Sequence, residues 1–287
     1  MVKRPAFPVR VGCCGWSYRE WVGVFYTSPR NLFLQYSKHF RTAEIDSTFY
    51  TIPRRETFSA LARLSPNDFR FTAKLPKTVT HEERCALTFK SREKLSNLLT
   101  SIEPLGEKLS HLLVQLPPSF TYAERDTLVA LLDTLSEKTD KRLSVEFRHL
   151  SWFSEENVAE TKRMLAERRV ACVVADEPLL PPVLLQSSDT VYVRMHGRGR
   201  HPWYDYRYSQ EELNEWVTRI KSYVMDRNTG EVIVVFNNHP HGYAPQNALS
   251  FQELLEQSGI TQPPRTPLAK KSEPTLDDFV PDDRSLG

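Results

Sequence analysis

Eight short apolar runs follow one another along the chain, and nearly every one ends in charged or amide side chains. They are VRVGCCGW (9–16), TAEIDST (42–48), FRFTAKLP (69–76), HLLVQLP (111–117), LSVEFRH (143–149), VACVVADE (170–177), VYVRMHG (191–197) and EVIVVFNN (231–238). The stretches between them are long enough for a helix and a loop. Strands alternating with helical segments describe βαβ units and a parallel sheet. Eight such units close a (β/α)8 TIM barrel, in which the carboxyl ends of the strands share the face that carries chemistry. Here those ends offer Glu44, Lys74, Gln115, Glu146, Arg148, Asp176, Arg194, His196, Asn237 and Asn238.

The gaps carry helical periodicity. Segments 56–64, 91–106, 123–138, 154–169, 209–224 and 251–259 place apolar residues at i, i+3, i+4 spacing, and Ser154 and Ser209 stand as N-cap candidates. Two loops exceed what a connection requires, residues 75–90 and 197–208. The second mixes three arginines with Trp203, Tyr204, Tyr206 and Tyr208, side chains suited to planar groups and phosphate. The 287 residues suit one such barrel, which typically takes about 250 residues. The expected division is a barrel over 1–260 and a disordered tail over 261–287, where composition turns Pro-rich and charged.

The net charge of +2 is too small to advertise nucleic acid by itself. Four cysteines in a chain of this length make no disulfide framework, and adjacent Cys13 and Cys14 point to opposite sides of a strand. The N-terminus has no apolar signal region and no stretch approaches the length of a membrane span, so a cytoplasmic protein without membrane contact is expected.

The runs GCCGWSYREWVGVFY (12–26), FRTAEIDSTFYTIPRRETF (40–58), FRFTAKLP (69–76), LVQLPPSF (113–120), SVEFRHLSWF (144–153), YVRMHGR (192–198) and VFNNHPHGYAPQNAL (235–249) resemble the YecE-like family over about residues 9–258. The resemblance implies a TIM barrel with a polar pocket at the strand ends, and no established reaction. The family's likeness to endonuclease IV and xylose isomerase barrels brings in nuclease or DNA-binding roles by fold analogy alone. Where this chain has Asp46 the family usually has Asn, and His239, Pro240 and His241 replace an acidic residue and glycines.

Glu44 and Asp46 flank Ile45, Glu146 and Arg148 flank Phe147, and Arg194 and His196 flank Met195, so each pair shares one face of its strand. Carboxylates inside an apolar barrel need partners or a function. Glu44, Glu146 and His196 are the candidate catalytic groups, His196 because its free pKa lies near neutrality. Lys74, Gln115, Arg148, Arg194, Asn237 and Asn238 are candidate ligand contacts. Trp16, Tyr18, Tyr50 and Trp152 are candidates for a stacking wall. Asp46 and Asp176 add oxygen donors for a divalent metal ion. Structural alternatives accompany each: an ion pair of Glu44 with Lys74 or Arg194, a self-satisfied Glu146–Arg148 pair, and aromatics that only pack.

In the tail, KKSEPTLDDFV (270–280) resembles the peptide by which replication and repair proteins dock on the DNA sliding clamp, with Leu276 and Phe279 as its anchors. Glu273 and Val280 depart from that pattern. Cations, carboxylates and aromatics on one face point to a phosphorylated small molecule or nucleic acid as ligand, with metal-assisted phosphate-ester hydrolysis as the chemistry. A non-catalytic adaptor in DNA repair or replication and a carbohydrate-active barrel are the competing expectations.

Overall fold

A computed structural model describes residues 9–200, 202–260 and 263. The tail motif with Leu276 and Phe279 lies outside them. Strands β1 (Val9–Cys14), β2 (Thr42–Ile45), β3 (Arg70–Lys74), β4 (Leu109–Gln115), β5 (Arg142–Glu146), β6 (Ala171–Asp176), β7 (Thr190–Met195) and β8 (Glu231–Phe236) form where the eight apolar runs lie. Each pairs in parallel with the next, and β1 pairs with β8, so the sheet closes. The expected (β/α)8 barrel is the fold.

Among the described residues seven α-helices surround it: α1 (Leu32–His39), α2 (Arg55–Leu64), α3 (Phe89–Ile102), α4 (Arg125–Lys138), α5 (Val158–Glu167), α6 (Gln210–Met225) and α7 (Tyr243–Gln257). Two depart from the periodicity. The eight residues of α1 are too few turns for a repeat to stand out in sequence. Helix α7 starts at Tyr243 instead of 251, with Pro245 in its first turn, where the missing N–H has no intrahelical partner to lose. Between β6 and β7 there is no helix, because Pro178, Pro181 and Pro182 remove successive donors. Ser209 caps α6 in a reciprocal pair with Glu212, whereas α5 begins only at Val158, well past Ser154.

Apolar residues alternate with the strands' polar ones, and the two faces serve different cores. Outward residues such as Val11, Ala43, Phe71, Val145 and Val193 pack under the helices in one large cluster. Inward, Cys14, Leu113, Val173, Tyr192, Ile233 and Val235 fill the barrel's middle. Gly12 is required at the β1–β2 seam: a Cβ there would stand 2.2 Å from the Thr42 carbonyl oxygen. The Tyr36 hydroxyl of α1 is inserted at this seam, accepting from the Cys13 N–H at 2.7 Å and donating to Thr42 O at 2.8 Å. Among the described residues no helix is long and apolar enough to cross a membrane.

Candidate functional site

The inward alternation that fills the barrel's middle continues to the strand ends, where it turns polar. Glu44 from β2, Lys74 from β3, Gln115 from β4, Glu146 from β5 and Arg194 from β7 all face inward and are buried. Arg194 is the centre. Its Nε and Nη2 donate to Glu44 at 3.0 and 2.6 Å, and its Nη1 donates to Glu146 at 2.5 Å. Glu44 also accepts from the Tyr192 hydroxyl at 2.6 Å, which in turn lies 2.7 Å from the Thr72 hydroxyl. Glu146 accepts from Gln115 at 2.9 Å and from the Arg148 Nε. Burial pushes the Glu146 carboxyl up, but the charges of Arg148 and Arg194 outweigh it and hold the group well below the usual carboxylate range. Glu44 therefore has the structural partner Arg194, and not Lys74.

Arg148 extends the network toward Glu177, just past β6, donating to its Oε2 at 2.5 Å. Sequence reading placed Asp176 here, and this is corrected. Counting in steps of two from inward Val173 reaches Glu177 and leaves Asp176 facing outward. Asp176 accepts from the Trp216 indole at 3.1 Å and the Arg198 guanidinium at 3.0 Å, anchoring α6 against the barrel. Glu177 is 5% exposed. Burial pushes its carboxyl up to about 7, with Arg148 opposing and Glu146 reinforcing the shift.

His196 lies beyond Arg194 on the inward face. Its Nε2 stands 3.0 Å from Arg148 Nη2 and 3.3 Å from Arg194 Nη1, both obligate donors, and 3.4 Å from Glu146 Oε2; the two closer contacts are with donors, which makes Nε2 the acceptor of a neutral ring. Burial and then the Arg148 charge push it down to about 3. A neutral ring with Nε2 accepting carries its proton on Nδ1, which lies 3.0 Å from Asn237 Nδ2, and this pairing requires the amide turned end for end so that its oxygen accepts. His196 is therefore held as an acceptor for guanidinium groups. Asn238 points elsewhere: its amide donates to Tyr206 O and Asn247 Oδ1, tying the β7 and β8 loops together.

The mouth above this network is aromatic and cationic. The Lys74 ammonium sits 3.3 Å from Asp46 and 3.7 Å over the Phe49 ring. His81, on a π-helical turn in the β3 loop, meets Phe49 edge-on at 4.9 Å. Burial, then the charges of Lys74, Lys77 and Arg148, push His81 down to about 4. Tyr50 is 74% exposed on the β2 loop. His239 is sandwiched between Tyr18 at 4.9 Å and Tyr204 at 5.2 Å, both near parallel. Trp152 is corrected: it is fully buried, stacked on Phe147 and Phe120, with its indole donating to Phe120 O. Trp16 packs on Phe33 and Phe71 under the helices, at one side of the mouth.

A divalent ion does not fit these donors. Glu44 and Glu146 are engaged by Arg194 and Arg148, Asp46 by Lys74, and Asp176 faces away. Among the described residues no group of three His, Cys, Asp or Glu side chains is placed to hold a metal ion. Cys13 and Cys14 are buried and free, and burial raises both thiols, which removes them as ready nucleophiles. Glu177, Tyr192 and His81 were missed from sequence. Only Glu177 carried a usable signal there, the alternation in VVADE.

Similarity to known proteins extends over the barrel. A model of the family described as "Protein of unknown function DUF72" matches residues 10–271. UPF0759 protein YunF of Bacillus subtilis is 28% identical over 276 residues, covering 88% of this chain and 97% of the relative. UPF0759 protein YecE of Escherichia coli K12 is 29% identical over 169 residues, 58% of this chain and 59% of the relative. A DUF72 family protein of Thermotoga maritima superposes with a TM-score of 0.71 at 35% identity, covering 87% of this chain and 99% of that one. A xylose isomerase domain containing protein of Salmonella typhimurium, 11% identical with a TM-score of 0.51 over 80% and 90% of the two chains, shares the fold alone.

Proposed function

The chain belongs to the DUF72 family, the YecE-like group, and from that premise we propose that its barrel mouth binds a phosphate-bearing ligand with a planar ring, a nucleotide or a nucleic-acid end. Lys74, Lys77 and Arg148 supply the cationic contacts, and Tyr50 and Tyr204 the stacking faces. The observation that carries this reading is the placement of the Lys74 ammonium 3.7 Å over the Phe49 ring, which His81 also meets. Burial, followed by the charges of Lys74, Lys77 and Arg148, pushes that His81 down. Arg194 and Glu44, saturated by each other below, act as the rigid floor and do not touch the ligand.

Binding without metal-assisted hydrolysis is the form these side chains support, since each carboxylate that a metal would need already holds a guanidinium or ammonium group. The test titrates single- and double-stranded DNA and RNA oligonucleotides at two salt concentrations, reading anisotropy, with and without Mg²⁺, Mn²⁺ or Zn²⁺. The expected result is salt-sensitive binding that weakens in Lys74→Ala and Arg148→Ala while the oligonucleotide stays intact. Binding unchanged in both variants overturns the reading. Metal-dependent cleavage restores the phosphoesterase alternative, and salt-insensitive sugar binding in its place favours a carbohydrate ligand.

A further inference from the structure

The three buried glutamates at the strand ends own six carboxyl oxygens, and five have partners. Glu44 uses both with Arg194 and Tyr192. Glu146 uses both with Gln115, Arg148 and Arg194. Glu177 gives Oε2 to Arg148, while its Oε1 is sealed from solvent and has no hydrogen-bond partner. An unmade hydrogen bond on a buried polar atom costs on the order of 1–3 kcal/mol, so such an orphan calls for an explanation.

Charge counting narrows it. Lys74, Arg148 and Arg194 balance Asp46, Glu44 and Glu146, so the state of Glu177 decides whether exposed Lys77 remains an excess positive charge or is cancelled. Ionised, Glu177 cancels that excess and sets a carboxylate beside the incoming anion, which disfavours binding. Neutral, it frees the Arg148 Nη1 from a competing carboxylate and turns the orphan into an O–H donor. The charged groups acting on Glu177 are Arg148 and Glu146 from β5, Arg194 from β7 and neighbouring Asp176, and burial dominates them all in favour of the neutral form.

We propose that Glu177 takes part in ligand binding as a neutral carboxylic acid, its Oε1–H donated to an anionic phosphate oxygen that the Arg148 guanidinium also contacts. This rests on the phosphate-bearing ligand proposed above. The proton balance is one proton taken from solvent per ligand bound when Glu177 starts ionised, and none when it starts protonated. It assigns to the site a specificity for anions that present an acceptor beside a guanidinium.

His81 and His196 titrate well below the pH window of the test, at about 4 and about 3, and His239 at the mouth is common to wild type and Glu177→Gln, so the difference between their two profiles reports Glu177. The probe is an oligothymidylate without a terminal phosphate, carrying a dye that does not titrate, bound to the full chain between about pH 5.5 and about pH 8.5. Wild-type affinity should be flat at the acid end and fall by about tenfold per pH unit above about pH 7. Glu177→Gln keeps an N–H donor and loses this titration, so its affinity should lack that fall. A flat wild-type profile, or the same slope in Glu177→Gln, overturns the proposal. Infrared difference spectra of wild type against Glu177→Gln, taken without ligand, give the second readout. A carboxylic-acid carbonyl band persisting to near neutral pH is expected, and its absence at pH 6 overturns the role of Glu177 even if the oligonucleotide binds. Absence of binding at every pH, with the band present, overturns the phosphate-ligand reading and this role together.

Discussion

Replacing Arg194 with Met should destabilise the barrel more than any other single change at the mouth. Met keeps the apolar stem and deletes the charge. Three contacts to carboxylates vanish, at 3.0 and 2.6 Å to Glu44 and 2.5 Å to Glu146, along with the bonds to His196 and Cys14. Glu146 retains Arg148 and Gln115, but Glu44 is left fully buried with Tyr192 alone. Removing one partner of a buried ion pair costs about 3–5 kcal/mol, because the other charge stays behind in a dry site. In a barrel of this size each kcal/mol moves the Tm by about 2–4 °C, so the expected drop is on the order of 6–20 °C. Urea unfolding at about pH 5 and about pH 8 should show the larger loss at the higher pH, since a proton can replace the missing cation at the lower one. The double variant Glu44→Gln/Arg194→Met should recover a large part of the loss. A cost below about 1 kcal/mol, or additive single and double variants, would refute the assignment of Arg194 as the charge that holds the two carboxylates in the barrel.

Three further outcomes follow from the same structure. Glu177→Gln should change how stability depends on pH: a folded-state value of about 7 against an ordinary 4.5 means wild type holds its full contribution below about 4.5 and loses about 3 kcal/mol as pH rises through 7, and the variant should lack that decline in urea titrations across this range. Arg169 closes α5 with a left-handed φ of 53° and the bonds Arg169 N–H to Ala166 O and Val170 N–H to Leu165 O, so Arg169→Gly should stabilise by about 1 kcal/mol, and a measured loss would mean its side chain contributes something this backbone does not reveal. All four cysteines are buried, with Cys85 and Cys172 pushed up to about 12, so a thiol reagent should label them only at the rate of unfolding, and rapid labelling of the native protein would contradict the packing around them.

The eight apolar runs, their spacing and the polar residue at each end were enough to specify a closed parallel barrel and the face where its charges gather. These are local properties: a period of two and a strand's length are written in consecutive residues. The absence of a helix after β6 departs from the expected βα rhythm, although its cause, Pro178, Pro181 and Pro182, is local. Pairing was different. Arg194 meets Glu44 across 150 residues, and Arg148 meets Glu177 across 29, distances over which sequence order carries no contact information. Only closure of the sheet decided that Arg194 would neutralise Glu44 while Lys74 turned to Asp46, and that the carboxylates would hold guanidinium groups in place of a metal ion. It also decided the face of β6. One step along a strand exchanges inside for outside, so Asp176 went to α6 and Trp216, and Glu177, unlike Glu44 and Glu146, kept a buried carboxyl oxygen without a hydrogen-bond partner.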